Sequence, residues 1–339
     1  MTCLQGHNRL KNMLFMNNYM TELTFGTYKG QANDETDQRY YDALVYAFAQ
    51  GIFKIDTAIN YRNQRSERNI GDFLKKNNPS KVFISTKGGF ISDINEDSDE
   101  MKIIRSINKK NIIADECHCM EPEFIKYQME KSIQNLGENN IDVYYIHNPE
   151  TQLLINNHKV FYSKICKVFE LLEQSVLNGY IKSYGIATWH GLLADQNDLC
   201  YLSLSKLKDI AIDINGKENN FKWVMAPYNL QMTEIQTKSN QVFKGSTYNL
   251  LTASHNAGLS LVLSSPFLQG KFTEDMNNSI SNNYDSILKN NSIENKYGFS
   301  LISSLLLPDI NSVCLGMLNK DHIRQNIESV KEVTRSLVQ

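Results

Sequence analysis

The chain has 339 residues, 41% of them apolar, and carries 35 basic against 37 acidic side chains. That length suits two ordinary domains or one large barrel with a sizeable core. The well-mixed charges, formally −2 in total, exclude a nucleic-acid face and a polybasic membrane surface.

The six cysteines are Cys3, Cys117, Cys119, Cys166, Cys200 and Cys314. Apart from one close pair they are scattered, which fits a reducing compartment and not a disulfide scaffold. No apolar run is long enough to span a bilayer. Arg9 and Lys11 precede only a very short apolar patch, with no cleavage-type segment after it. The expectation is a cytoplasmic protein with an N-terminal tail over 1–19 and one domain over 20–339.

Short β-branched runs alternate with longer segments of helical period. In chain order the predicted strands cover residues 22–26, 53–56, 82–87, 143–147, 181–188, 222–227, 259–265 and 312–316. Most are apolar on both faces, as buried parallel strands are. Between them, Ile125, Met129, Ile133 and Leu136 line one helical face, with Pro122 at its start and Gly137 at its end. Phe161, Ile165, Val168, Leu172 and Val176 line another, and Gly179 stops it.

Eight strands alternating with helices predict an α/β protein: a single (β/α)8 TIM barrel. An open doubly wound sheet is the alternative, but it calls for G-x-G-x-x-G after the first strand. The chain has GTYKGQ there. The segments 88–121, 148–158 and 277–295 follow strand ends, where barrel enzymes carry substrate loops. The Asn- and Ser-rich composition of 277–295 also reads simply as a solvated loop.

Four polar residues end strands or follow them closely. Asp56 closes the second strand in FKIDTAINY, and Tyr61 follows five residues later. Lys87 closes the third in VFISTKGG, and His147 the fourth in DVYYIHNPE. Singly, each has an ordinary structural explanation: a turn cap, a snorkelling stem, a satisfied core histidine, a core tyrosine. In a closed barrel all four converge on one mouth, and four independent coincidences are needed to dismiss them. Together they suit acid catalysis on a carbonyl. A lysine cation lowers the pKa of a phenol, a carboxylate holds that cation, and a neutral imidazole donates to the carbonyl oxygen. None of them supplies a hydride, so a cofactor is required.

With these motifs in this order, the sequence resembles the aldo-keto reductases over roughly 22–330. FKIDTAINYRNQ, FISTKGG, YYIHNPE and SYGIATW each resemble a segment of that family. The resemblance implies the barrel, an Asp56–Tyr61–Lys87–His147 tetrad and a cofactor site without a Rossmann domain. NADP(H) is preferred in this reading and NAD(H) is possible. It implies that Gly26, Thr27, Tyr28 and Thr188 lie near the nicotinamide. SSPFLQGKF is similar to the family's pyrophosphate loop and contributes Ser265, Phe267, Gln269 and Lys271. GMLNKDHIRQN is similar to its adenosine segment, with Gly316, Asn319, Lys320, His322, Gln325 and Asn326. Lys320, His322 and Arg324 are the candidates to meet a 2′-phosphate. The pattern departs at Ala187-Thr188, Met225 and Ser264, where the family's usual Ser-Asn pair, glutamine and stacking tyrosine are replaced.

Tyr28, His118, Trp189 and His190 are the candidate substrate contacts. The Cys117-His118-Cys119 triplet lacks a second Cys/His cluster, so it reads as loop lining and no metal is expected. The resulting expectation is a carbonyl reductase acting on a small-molecule aldehyde or ketone, as a monomer or weak homo-oligomer. Two alternatives stand: a cofactor-binding regulatory subunit of the kind that potassium-channel β-subunits represent, and a sugar or alcohol dehydrogenase running oxidatively.

Overall fold

A computed structural model describes residues 20, 22–107, 112–137, 141–270 and 295–338. The tail over 1–19, Lys271 and nearly all of segment 277–295 lie outside the described residues. Eight strands form the barrel: β1 Leu23–Gly26, β2 Lys54–Asp56, β3 Phe83–Gly88, β4 Ile141–His147, β5 Ile181–Ala187, β6 Phe221–Pro227, β7 Ser260–Ser264 and β8 Ile310–Gly316. Each pairs in parallel with its neighbours in sequence, and β8 returns to β1 to close the cylinder. The open-sheet alternative is thereby excluded.

All eight predicted strands are present. Two of them, β4 and β8, start two residues earlier than expected. The double burial that made them legible has a direct cause. Side chains alternate between two separate cores. On β4, Tyr144 and Ile146 pack outward among the helices, while Val143 and Tyr145 join Ala187, Met225 and Val262 inside the barrel. Continuing that alternation turns His147 inward at the mouth.

The principal helices are α1 Asp34–Ala49, α2 Arg65–Asn77, α3 Asp99–Ser106, α4 Pro122–Leu136, α5 His158–Leu177, α6 Leu204–Asn215, α7 Leu250–Asn256, α8 Lys296–Leu305 and α9 Lys320–Val338. The two predicted from periodicity are α4 and α5. Pro122 opens α4, and Gly137, with φ 69°, closes it in the left-handed conformation that glycine adopts without strain. Asn33 and Asn157 cap α1 and α5 by accepting the amides of Thr36 and Val160.

Two features escaped the sequence pattern. The 88–121 segment is no plain loop: it contains α3 and a short antiparallel hairpin, Ile113–Ala114 with His118–Cys119. A second hairpin, Ser239–Phe243 with Ser246–Asn249, lies between β6 and α7. Among the described residues no helix is long and apolar enough to cross a membrane.

Close strand approach makes one interior glycine demanding. A Cβ on Gly185 would lie 2.3 Å from the carbonyl oxygen of Trp223, its register partner on β6. Gly185→Ala must therefore push β5 from β6. We expect it to lower the unfolding free energy by about 1–3 kcal/mol, the usual range for overpacking. Urea titration monitored by circular dichroism checks this; an unchanged midpoint would show that the strands yield freely.

Candidate active site

At the C-terminal mouth of the barrel, Asp56 and Lys87 meet in near-complete burial. Lys87 Nζ lies 2.5 Å from Asp56 Oδ2 and donates to Thr57 O at 2.7 Å. The other carboxylate oxygen accepts Ser85 Oγ at 2.8 Å, and Cys314 Sγ lies 3.6 Å from Oδ2. Desolvation opposes the Lys87 cation, but Asp56 outweighs it and holds the ammonium above its ordinary pKa.

Tyr61 stands over this pair. Lys87 Nζ is 5.1 Å from its ring centroid, and the His147 and Tyr28 rings meet it edge-on at 5.9 and 5.1 Å. The chain leaves Tyr61 through three successive left-handed residues, Arg62, Asn63 and Gln64, with φ 53°, 54° and 67°. None is glycine, so the turn is strained. Buried Arg62 holds it: Nε donates to Gln31 O at 2.8 Å, and the guanidinium pairs with Asp37.

Burial pushes the Tyr61 phenol up to about 12, although the Lys87 cation pulls the other way. The sequence suggested a net lowering by Lys87. The structure reverses that balance, because desolvation of a phenolate exceeds the attraction of a cation already neutralised by Asp56. The consequence is a phenol fully protonated at neutral pH. His147 is driven the opposite way: burial and the Lys87 charge hold it far below its usual range, hence neutral. Its Nδ1 is buried without a hydrogen-bond partner.

These four residues line one end of a cavity of about 1050 Å³. Of the expected cofactor residues, Gly26, Thr27, Tyr28, Thr188, Ser265, Phe267, Gln269, Gly316, His322, Gln325 and Asn326 line it. Asn319 and Lys320 are not lining residues. Asn319 instead caps α9, its Oδ1 accepting the amide of His322 at 2.9 Å. Arg324 likewise lies outside the lining and is held by Asp321 at 2.7 Å.

The shape suits an extended dinucleotide. The lining runs from Tyr61 across Gly316 to Asn326 and Ser329 on α9. Over Gly316 the wall is open: a Cβ there would meet nothing nearer than Lys29 Cγ at 3.9 Å. The amino end of α9 faces this region, and helix N-termini favour phosphate. The loop after β7 holds Ser265, Leu268 and Gln269 at φ 56°, 47° and 56°, a backbone form that can turn amide groups toward an anion.

Of the expected substrate contacts, Tyr28 and Trp189 line the cavity and are 51% and 38% exposed. His190 lies outside the lining, with Nε2 3.4 Å from Asp198. His118 is fully buried and also outside it. Cys117 and Cys119 are free thiols, and among the described residues no three His, Cys, Asp or Glu side chains converge to hold a metal.

Sequence reasoning missed Lys29, Asn60, Phe90, Asn148, Leu318 and Tyr297 in the lining. It also missed Glu150. This buried carboxylate accepts Thr188 Oγ1 at 2.7 Å and the amides of Trp189, His190 and Gly191, and so shapes the loop after β5. Asn60 and Asn148 adjoin singled-out residues, a usable signal. Glu150 closes the YYIHNPE motif and shared that signal, whereas Phe90 carries none.

A parallel barrel that gathers Asp56, Tyr61, Lys87 and His147 around one cavity at its carboxyl mouth has the layout of a barrel enzyme. The chain belongs to the aldo/keto reductase family, whose model matches residues 22–336. A thermostable aldo-keto reductase in complex with the inhibitor epalrestat superposes with a TM-score of 0.61 at 17% identity, covering 94% of this chain and 93% of that one. An aldo/keto reductase from Klebsiella pneumoniae, in complex with NADP and acetate, gives 0.59 at 15% identity over 91% and 85%. The NADH-specific methylglyoxal reductase of Escherichia coli (strain K12) is 25% identical over 146 residues, or 43% of this chain. That match spans 40% of the relative's length.

The Tyr61 shift has a readable sign. Its folded pKa lies above the ordinary 10.0, so between about 10 and about 12 the folded chain binds a proton that the unfolded chain has released. Stability contributed by this group is complete below 10 and drains away as pH rises to 12. Phenolate absorbance of wild type minus that of Tyr61→Phe should titrate near 12. A midpoint at or below 10 would mean that Lys87 dominates after all.

Proposed function

We propose that this protein is an NAD(P)H-dependent carbonyl reductase, with Tyr61 as the proton donor to a small aldehyde or ketone. The observation that carries the reading is Tyr61 standing over the buried Lys87–Asp56 pair with the His147 ring edge-on beside it, all four lining one cavity. A nicotinamide cofactor, when bound, supplies the hydride.

The chain's own groups do the rest. His147, neutral, donates a hydrogen bond that orients the carbonyl oxygen and opposes its developing charge. Tyr61 passes its proton to that oxygen. Lys87 stabilises the phenolate left behind, and Asp56 keeps Lys87 charged and in place. Free thiols in all five described cysteines support a cytoplasmic setting.

Removing the proton alone tests the assignment. Tyr61→Phe should lower kcat by roughly 10²–10⁴-fold, the usual worth of general acid catalysis, with little change in cofactor binding. The wild-type protein is assayed first on a carbonyl panel that includes methylglyoxal, with each cofactor. Near-wild-type turnover by the variant would place the proton elsewhere. Tight NADPH binding without turnover of any carbonyl would favour a cofactor-binding regulatory role.

The proposed preference for NADP(H) now hangs on His322, the one expected 2′-phosphate partner in the cavity lining. A single exposed charge contact is worth at most about 1 kcal/mol. NADPH should therefore bind tighter than NADH by no more than about fivefold, and His322→Ala should erase the difference. Fluorescence titration of both cofactors measures it; equal or tighter NADH binding in the wild type would reverse the preference.

A further inference from the structure

We propose that His118 is a positioning residue for His147: its ring N–H, donated to the main-chain carbonyl of His147, fixes the catalytic imidazole at the mouth. The inference rests on the carbonyl-reductase reading, within which His147 is the group that meets the substrate oxygen.

The argument starts from the hairpin that carries His118. Its short strands dock on the exit of β3, where Ile91 N donates to Cys117 O at 2.8 Å and Cys119 N to Gly89 O at 2.9 Å. Phe90 bridges to His118 in antiparallel fashion. This places the fully buried His118 ring beneath the site, with Nε2 2.8 Å from His147 O. A carbonyl only accepts, so Nε2 must carry the hydrogen. Nδ1 is then the acceptor, and Gln152 Nε2 lies 3.2 Å from it. The same amide nitrogen donates to His118 O at 2.8 Å, locking the ring from its own backbone.

The two histidines are thus assigned opposite tasks. Both ring nitrogens of His118 are spent inside the protein. His147 keeps a buried, unpartnered Nδ1 and faces the cavity. Phe90 stands between them, edge-on to His118 at 4.9 Å and to His147 at 5.0 Å. Gln128 holds Phe90 in turn, its Nε2 donating to Phe90 O at 2.8 Å and its Oε1 accepting Gly89 N at 2.8 Å. Gly89 has φ +135°, and a Cβ there would come within 2.8 Å of His118 Nε2 and 3.2 Å of His147 O. The contact exists because that position bears no side chain.

The backbone shows what the bond controls. His147 ends β4, and the next residue, Asn148, turns left-handed at φ 43° with its amide 2.7 Å from Ala187 O. Burial, with Lys164 nearby, keeps His118 neutral with a pKa down to about 4, while Glu121 pairs Lys164 at 2.9 Å. The neutral ring therefore keeps its Nε2 donor at neutral pH.

The test separates a positioned donor from a merely space-filling ring. His118→Phe keeps a ring and removes the donor. It should lower kcat by about 10–100-fold, as small misplacements of catalytic groups do, with KM and cofactor affinity within about threefold. The isotope effect with deuterium-labelled cofactor should rise. His118→Gln places an amide N–H at similar reach and should restore most of kcat. Loss of kcat in both variants alike, or in neither, overturns the proposal. Should His118→Phe fail to fold, His118→Asn, whose amide is too short, replaces it.

Isotope-edited NMR of the imidazole nitrogens decides the point even without turnover. At neutral pH His118 should show a protonated, slowly exchanging Nε2 and a bare Nδ1. The His147 ring signals should move in His118→Phe and return in His118→Gln. A protonated Nδ1 on His118, or His147 signals indifferent to both variants, refutes the proposal. A wild-type protein that reduces no carbonyl yet passes this NMR test refutes the reductase reading instead.

Discussion

One buried ion pair, Asp56 with Lys87, organises the mouth of this barrel. Two charges in a nearly dry interior are expensive to desolvate, and their attraction offsets that only with good geometry and further hydrogen bonds. Ser85 and the carbonyl of Thr57 provide those bonds, from strands that the barrel has already brought side by side. Because the pair is neutral overall, its net pull on Tyr61 is small, and burial decides the phenol's state.

Around that pair, the precision of the site comes from buried polar groups outside the barrel. Glu150 gathers a hydroxyl and three amides of the loop after β5 onto one oxygen. Glu100 receives Ser92, Asp93 and Gln128, and so braces the loop after β3. Arg62 stabilises a strained turn that no glycine relieves. Each is a charged or amide group with several partners. Removing any one leaves those partners unsatisfied in a low-dielectric setting, which is why such groups constrain geometry tightly.

How much of this was legible in the sequence follows from range. The eight strands were readable because both faces of each are buried, and burial writes itself locally as apolar runs. The meeting of Asp56, Tyr61, Lys87 and His147 was readable because barrel topology sends every strand exit to one rim. The hairpin bearing His118 was not, since two-residue strands carry no period. His118 looked like a mouth residue by composition, yet its neighbours place it beneath His147 and out of the cavity lining. Glu150 and Gln128 act through contacts 38 to 41 and 39 residues away, distances over which local pattern is silent. The left-handed turn after Tyr61 gave no warning either, because Arg, Asn and Gln occupy it where glycine would have announced it. The lowered phenol pKa failed for a different reason: the cation was visible in the sequence, but the depth of burial was not.

Closure of the cylinder also sets an order of events during synthesis. Asp56 and Lys87 lie 31 residues apart on adjacent strands and can meet early. Cys314, which completes the wall around them, follows Asp56 by 258 residues. At roughly 5–20 residues per second, the ribosome needs on the order of 10–50 s to deliver it. Through that interval the nascent half-barrel exposes the β1 edge that only β8 can cover, together with a carboxylate and an ammonium awaiting their dry enclosure. Closure of the site therefore waits until β8 has emerged, and the growing chain depends on protection of that one open edge until then.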